Sequence, residues 1–201
     1  MRKIGMVILG VALLLAIGAG IAVLRPAWLG MAAMRAQPID LGAPLVLTDD
    51  HGNSFSSQSL KGEPFAIFFG FTHCPDECPT TMSDLTQAMK ILGPDADKLH
   101  VVFVTFDPAR DTAPVLAAWM ENFDKRFIAL TGTPAALDAL AKSYHVFFKS
   151  EAPDKSGNYD FQHTAATYLM DAHGKFVTTL SPEDKPSDMA RKLQTLIAMP
   201  K

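Results

Sequence analysis

Cys74 and Cys78 are the only thiols in the chain, and they stand four positions apart in GFTHCPDECPTT over 70–81. Two sulfurs at that spacing can close one reversible disulfide, supply half of a metal site, or lie inert. Without a second cysteine pair, neither a disulfide framework nor a four-sulfur zinc site can be built. If both thiolates face one ion, copper(I) suits them, because it is soft and accepts two sulfurs plus an imidazole. Six histidines compete for that third place. His51 and His173 fall on turn tips, His100 opens an apolar strand and His145 ends a helix. His73 adjoins Cys74, but along an extended chain its ring would point to the opposite face. His163 precedes the final hairpin, in a segment that a thioredoxin-like sheet brings beside the cysteines, and is a candidate, although a lone loop histidine is more often simply solvated.

The elements around the cysteines follow from pattern. Phe65 to Phe71 is a short apolar run rich in strand formers, expected to be a buried strand. From Thr80 to Leu92, Met82, Leu85, Met89 and Leu92 recur at helical spacing, and Gly93-Pro94 is a stop signal. The cysteines therefore sit where a strand passes into a helix, and a Cys78 in the first helical turn would meet unpaired N–H groups that favour thiolates. Leu99 to Phe106 predicts a second strand buried on both faces. Thr112 and Pro114 open a helix over Val115 to Asn122, with Leu116, Trp119 and Met120 inward. A short strand at Phe127 to Leu130 and a helix capped by Thr133-Pro134 follow. Ser150 to Gln162 reads as a polar loop leading to His163. Ala165–Asp171 and Lys175–Leu180 pair as a hairpin, and Ser187 to Met199 is an amphipathic helix. Near the start, Pro44 to Thr48 and Ser54-Phe55 make an N-terminal hairpin around a glycine turn. That order implies an α/β domain, with a mixed central sheet flanked by helices on both faces. Cysteines at the end of its first central strand suggest a thioredoxin-like fold, since sites in open α/β sheets lie at the carboxyl ends of strands.

Residues 1–34 are of a different kind. Arg2 and Lys3 precede an uncharged apolar run from Ile4 to Leu24. At about 1.5 Å per residue it just crosses a hydrocarbon core of roughly 30 Å. A cleaved signal peptide is the rival reading, but its apolar region is usually shorter and no clean small-x-small cleavage site follows this one, so an uncleaved signal anchor is expected, a single transmembrane helix with a short tether. The domain, residues 35–201, is then placed on the outer, periplasmic side of a bacterial-type cytoplasmic membrane, where disulfides persist. With 18 Lys and Arg against 21 Asp and Glu, and no basic run, nucleic acid is not expected as a partner.

Three separated motifs occur in order: GFTHCPDECP at 70–79, DPARDT at 107–112, and His163 with Tyr168-Leu169 and Asp171-x-x-Gly174. Together they resemble the Sco/SenC family of membrane-anchored copper-binding proteins, which share a thioredoxin-like fold. The resemblance implies copper as the bound metal, Cu(I) with Cu(II) left open, and Cys74, Cys78 and His163 as its ligands. Asp107 becomes a candidate for supporting those ligands from outside the metal, its alternative being a turn or cap role. Glu77 stands where relatives commonly carry an apolar residue. The family serves assembly of the dinuclear copper centre in cytochrome c oxidase subunit II, which becomes an expected partner beside a copper donor and a thiol reductant. Two function classes compete. One is a copper carrier without turnover. The other is a thiol–disulfide oxidoreductase acting on partner cysteines, for which Gln162-His163-Thr164 is a poor match, since such enzymes place a proline there and favour a Cys-x2-Cys spacing.

Overall fold

The computed structural model describes residues 41–42, 44 and 46–200. The anchor expected over 1–34 lies outside them, as does the boundary at residue 35. Among the described residues, no helix is long and apolar enough to cross a membrane.

Among the described residues the main sheet has seven strands, in the order β2-β1-β5-β4-β3-β8-β9. Inside it, β3 (Phe65–Gly70) runs parallel to the central strand β4 (His100–Thr105) and antiparallel to β8 (Thr167–Met170). Every residue of β3 is buried, as an uninterrupted apolar run requires of a strand covered on both faces. β5 (Ile128–Thr131) extends the sheet parallel to β4. The N-terminal hairpin, β1 (Val46–Asp49) and β2 (Ser54–Ser56), pairs antiparallel with β5. β9 (Phe176–Leu180) closes the other edge against β8.

Helix α1 (Glu77–Leu92) begins three residues before the expected start and buries Cys78, Thr81, Met82, Leu85, Ala88, Met89 and Leu92. α2 (Ala113–Met120) lies on the same face of the sheet: its Trp119 meets the Phe103 ring at 4.8 Å, and Phe103 flanks Gly70 opposite the Cys78 sulfur. α3 (Pro134–Ser143), capped by Thr133 accepting the Ala136 N–H, leads to Tyr144, which packs on Phe69 from the other face. α4 (Pro186–Ile197) packs beside α1. The mixed sheet with helices on both faces is the expected thioredoxin-like arrangement.

One element departs from expectation. Residues 150–162 are not simply a loop: β6 (Phe148–Ser150) and β7 (Phe161–His163) form a separate antiparallel ribbon, with Phe148 opposite His163. Asp154 turns the connection, its carboxylate accepting the N–H groups of Ser156 and Asn158, while Gly157 takes φ +84°. Strands of three residues are too short to show alternation above a polar background.

Candidate metal centre

β3 ends at Gly70, and the chain turns through Phe71-Thr72-His73, where the Cys74 N–H bonds the Phe71 carbonyl at 3.3 Å. Cys74 is half-buried at the mouth of this turn, and Cys78 is wholly buried in the first turn of α1. The Cys78 N–H, one of the donors a helix start leaves unpaired, donates to Cys74 Sγ at 3.3 Å. Gly70 makes room for the second sulfur: a Cβ there would lie 2.8 Å from Cys78 Sγ and 2.9 Å from Phe103 Cε2.

The imidazole arrives from the ribbon. His163 ends β7, and its Nε2 lies 3.8 Å from Cys78 Sγ. Its Nδ1 is 3.1 Å from the Thr164 carbonyl, which can only accept. The neutral ring therefore carries its proton on Nδ1 and turns the Nε2 lone pair toward the sulfurs. Cys74, Cys78 and His163 together bring their ligand atoms within 4.8 Å of one another, the one such group among the described residues. The Phe71 and Phe106 rings flank the imidazole at 6.0 and 5.1 Å, so one side of the site is apolar.

The charges are coupled. Hydrogen bonding from Cys78 lowers the Cys74 pKa well below the ordinary thiol range, against burial and with help from His163 and the Cys78 N–H. The same contact with Cys74, together with burial, pushes the Cys78 thiol up, and Glu77 adds to the push. Burial opposes a charged His163, but Cys74 and the Thr164 carbonyl outweigh it and raise its pKa. The contact thus favours the charge on half-buried Cys74 and the proton on Cys78 beneath it. Two sulfurs and one imidazole, with a proton to displace, suit a soft ion.

The other histidines stay away. His73 bonds the Thr72 hydroxyl at 3.1 Å and faces Asp111 at 3.6 Å. The strand has ended by then, so a local turn rather than alternation directs its ring. His100 pairs with Glu63 at 3.0 Å, His145 takes a left-handed φ of 54° after α3, and His51 and His173 occupy turns.

Asp107 does not reach toward the sulfurs. Its buried carboxylate accepts Arg110 Nε and, at 2.8 Å, the Tyr159 hydroxyl, while its carbonyl accepts the N–H groups of Arg110 and Asp111 and makes the turn. Sequence reasoning passed over its neighbour Asp111, which is fully buried and accepts Thr72 N–H at 2.9 Å and the hydroxyls of Thr72 and Thr105. It also passed over Tyr159 and Phe161. The available signal was the alternation Tyr159-x-Phe161-x-His163, which marks one face of an extended segment.

Residues 33–198 match the sequence pattern of SCO1/SenC. The chain belongs to the SCO1/SenC family. Among curated members, a SCO2-like protein of Rickettsia felis is 34% identical over 157 residues, spanning 78% of this chain and 77% of that one. Two solved Sco structures superpose closely. Bradyrhizobium japonicum ScoI with copper bound has a TM-score of 0.73 at 39% identity, covering 78% of this chain and 99% of that one. Yeast Sco1 with copper bound has a TM-score of 0.72 at 34% identity, covering 78% and 87%.

Proposed function

We propose that the protein is a copper carrier that holds one ion through Cys74 Sγ, Cys78 Sγ and His163 Nε2 and delivers it to the dinuclear copper site of cytochrome c oxidase subunit II during assembly. The observation that carries this reading is the convergence of two sulfurs and a correctly turned imidazole from elements 85 positions apart, all within 4.8 Å. Copper-bound relatives of the same fold support the choice of ion. Two thiolates, a neutral imidazole and Cu(I) sum to one negative charge, which a half-open site tolerates. Release would follow ligand exchange with partner cysteines, beginning at the more accessible sulfur, that of Cys74. Oxidation of the pair would remove both sulfur ligands, so an upstream copper donor must meet a protein kept reduced by a thiol reductant. The apolar run at residues 4–24 would anchor the chain in the cytoplasmic membrane with the domain on its outer side.

A second reading has its own support. A half-exposed Cys74 thiolate above a buried Cys78 thiol is the arrangement by which a thiol–disulfide oxidoreductase attacks a partner disulfide.

One experiment separates them. The fully reduced protein is titrated with Cu(I) against a competing chelator. We expect one copper per chain, no detectable binding in Cys74→Ser or Cys78→Ser, and affinity weakened by at least roughly 100-fold in His163→Ala, the upper end of what loss of a ligand's supporting partner does. Parental affinity in His163→Ala would remove the histidine from the ligand set. A reduced protein that ignores copper yet rapidly reduces partner disulfides would make it an oxidoreductase.

A further inference from the structure

The ribbon that carries His163 belongs to a two-stranded sheet of its own, not to the seven-stranded one. No ladder of the main sheet therefore sets the distance from imidazole to sulfurs. Aromatic packing beneath the ribbon holds it down but gives the imidazole little direction. Phe161 lies 5.2 Å from Phe71, and Phe148 stacks on Phe106 at 5.1 Å, but apolar contacts of this kind have little directionality.

Within the ribbon the β6–β7 ladder and the Phe147–Thr164 bonds hold the strands to each other, and the directional contacts from it to the turn at residues 107–111 lie just before β7. Tyr159 donates its hydroxyl to Asp107 at 2.8 Å, and its carbonyl accepts Arg110 Nη1 at 2.9 Å. Arg110 Nε donates to the other Asp107 oxygen, and the guanidinium carbon lies 3.6 Å from the centre of the Tyr159 ring. Three side chains thus close a ring of contacts in which every member holds the other two. Among the described residues, Arg110 Nη2 is buried without a hydrogen-bond partner, so the other guanidinium nitrogens carry the contacts that fix this side chain. The same turn grips the opposite half of the site, because Asp111 accepts the N–H and hydroxyl of Thr72, two residues before Cys74. Five residues, 107–111, are thereby fastened to the imidazole's ribbon at one end and to the sulfur loop at the other.

We propose that Tyr159 and Arg110 are positioning residues for His163: the Asp107–Arg110–Tyr159 ring sets the reach of Nε2 toward the two sulfurs, and so tunes how firmly the third ligand closes on the metal. This rests on the copper-carrier reading. Neither residue touches the ion. Their effect passes wholly through the imidazole.

The test uses the full chain and four proteins: parent, Tyr159→Phe, His163→Ala, and the double variant. Tyr159→Phe keeps the ring over Arg110 and removes only the hydroxyl. Cu(I) affinity is measured by chelator competition, and the Cu(II) form is examined for nitrogen hyperfine structure by electron paramagnetic resonance. We expect Tyr159→Phe to weaken Cu(I) binding about tenfold, as is usual when a ligand's supporting partner is lost, and to diminish the nitrogen signature. In the His163→Ala background the same change should have no further effect, since the two residues act as one unit. Arg110→Lys, which keeps the charge but not the fork or the stacking, should reproduce the loss and guards against a misfolded Tyr159 variant. Parental affinity and spectrum in both Tyr159→Phe and Arg110→Lys would overturn the proposal, as would an equal tenfold loss without His163. A parent that binds no copper would overturn the carrier reading along with it.

Discussion

Cys78 sits at the start of a helix packed behind a strand buried at every position, with Cys74 half-buried in the turn between them, whereas His163 rides on a ribbon outside the main sheet. β3 is buried at every position and α1 buries seven side chains behind it. In β7, by contrast, Gln162 is exposed and Phe161 and His163 are only partly covered. A two-stranded ribbon has marginal stability of its own and depends on what it packs against. The contrast suggests a division of labour. The sulfur pair is preorganised by the core and is present before any ion arrives. The imidazole is supplied by a part of the molecule that can yield locally without unfolding the rest.

The largest expected effect contrasts the two sulfurs within the rigid half. In the reduced, metal-free protein, iodoacetamide should modify Cys74 alone, and Cys78 only after denaturation, because Cys78 is fully buried with a raised pKa. The pH dependence follows from the lowered pKa of Cys74. A group with a depressed pKa keeps its charged form as the pH falls, so its alkylation rate should stay nearly flat from about pH 8 to 6, where an ordinary thiol of pKa about 8.5 loses roughly tenfold per unit. Labelling followed by mass spectrometry reads both sites. Equal modification of the two cysteines, or an ordinary thiol's pH profile at Cys74, would break the picture of a prearranged pair.

A smaller effect compares the two halves directly. Phe69→Ala, deep in β3, should lower global stability by about 3–5 kcal/mol in denaturant unfolding. Phe161→Ala, partly buried on the ribbon, should cost only about 1 kcal/mol, in line with its lesser burial. It should nevertheless speed amide exchange across β6 and β7 and weaken copper binding, while β3 amides keep the protection of global unfolding. If β7 exchanges as slowly as β3, the ribbon is not an independent unit.

This division also explains what could be read in the sequence. The rigid half is local. An apolar run, a helical repeat of Met82, Leu85, Met89 and Leu92, and a Cys-x3-Cys at their junction all lie within 28 positions, 65–92, and each side chain falls where the period places it. The ribbon half is held by partners far apart in the chain. Tyr159 meets Asp107 across 52 positions, and Phe148 and Phe161 reach Phe71 and Phe106. No periodicity reports such contacts, and an acidic, glycine-containing connection between very short strands has the composition of a loop. His163 was found from its place before the last hairpin and from family resemblance. Asp107 was recognised by resemblance, but its partners, and the equal standing of Asp111, became visible only in three dimensions.

The finest test sets two glycines against each other. At Gly70 an added Cβ would lie 2.8 Å from Cys78 Sγ and 2.9 Å from a Phe103 ring atom. At Gly132, which follows β5, it would lie 2.7 Å from Leu47 Cδ2, on the N-terminal hairpin. Both substitutions crowd a packed interior, and such crowding costs about 1–3 kcal/mol, with Gly132→Ala at the low end because the leucine methyl can rotate aside. Neither glycine has the positive φ that an alanine would resist. Gly70→Ala should therefore cost up to about 2 kcal/mol more than Gly132→Ala in stability, and the two should differ clearly in metal binding. Gly70→Ala must displace the buried sulfur or the ring behind it, so its Cu(I) affinity should fall by a few-fold to about tenfold, as a misplaced but still present ligand would have it. Gly132→Ala should bind as the parent does. If both bind as the parent does, the core around Cys78 is softer than its burial implies, and the preorganisation assigned to the sulfur half would have to be shared with the ribbon.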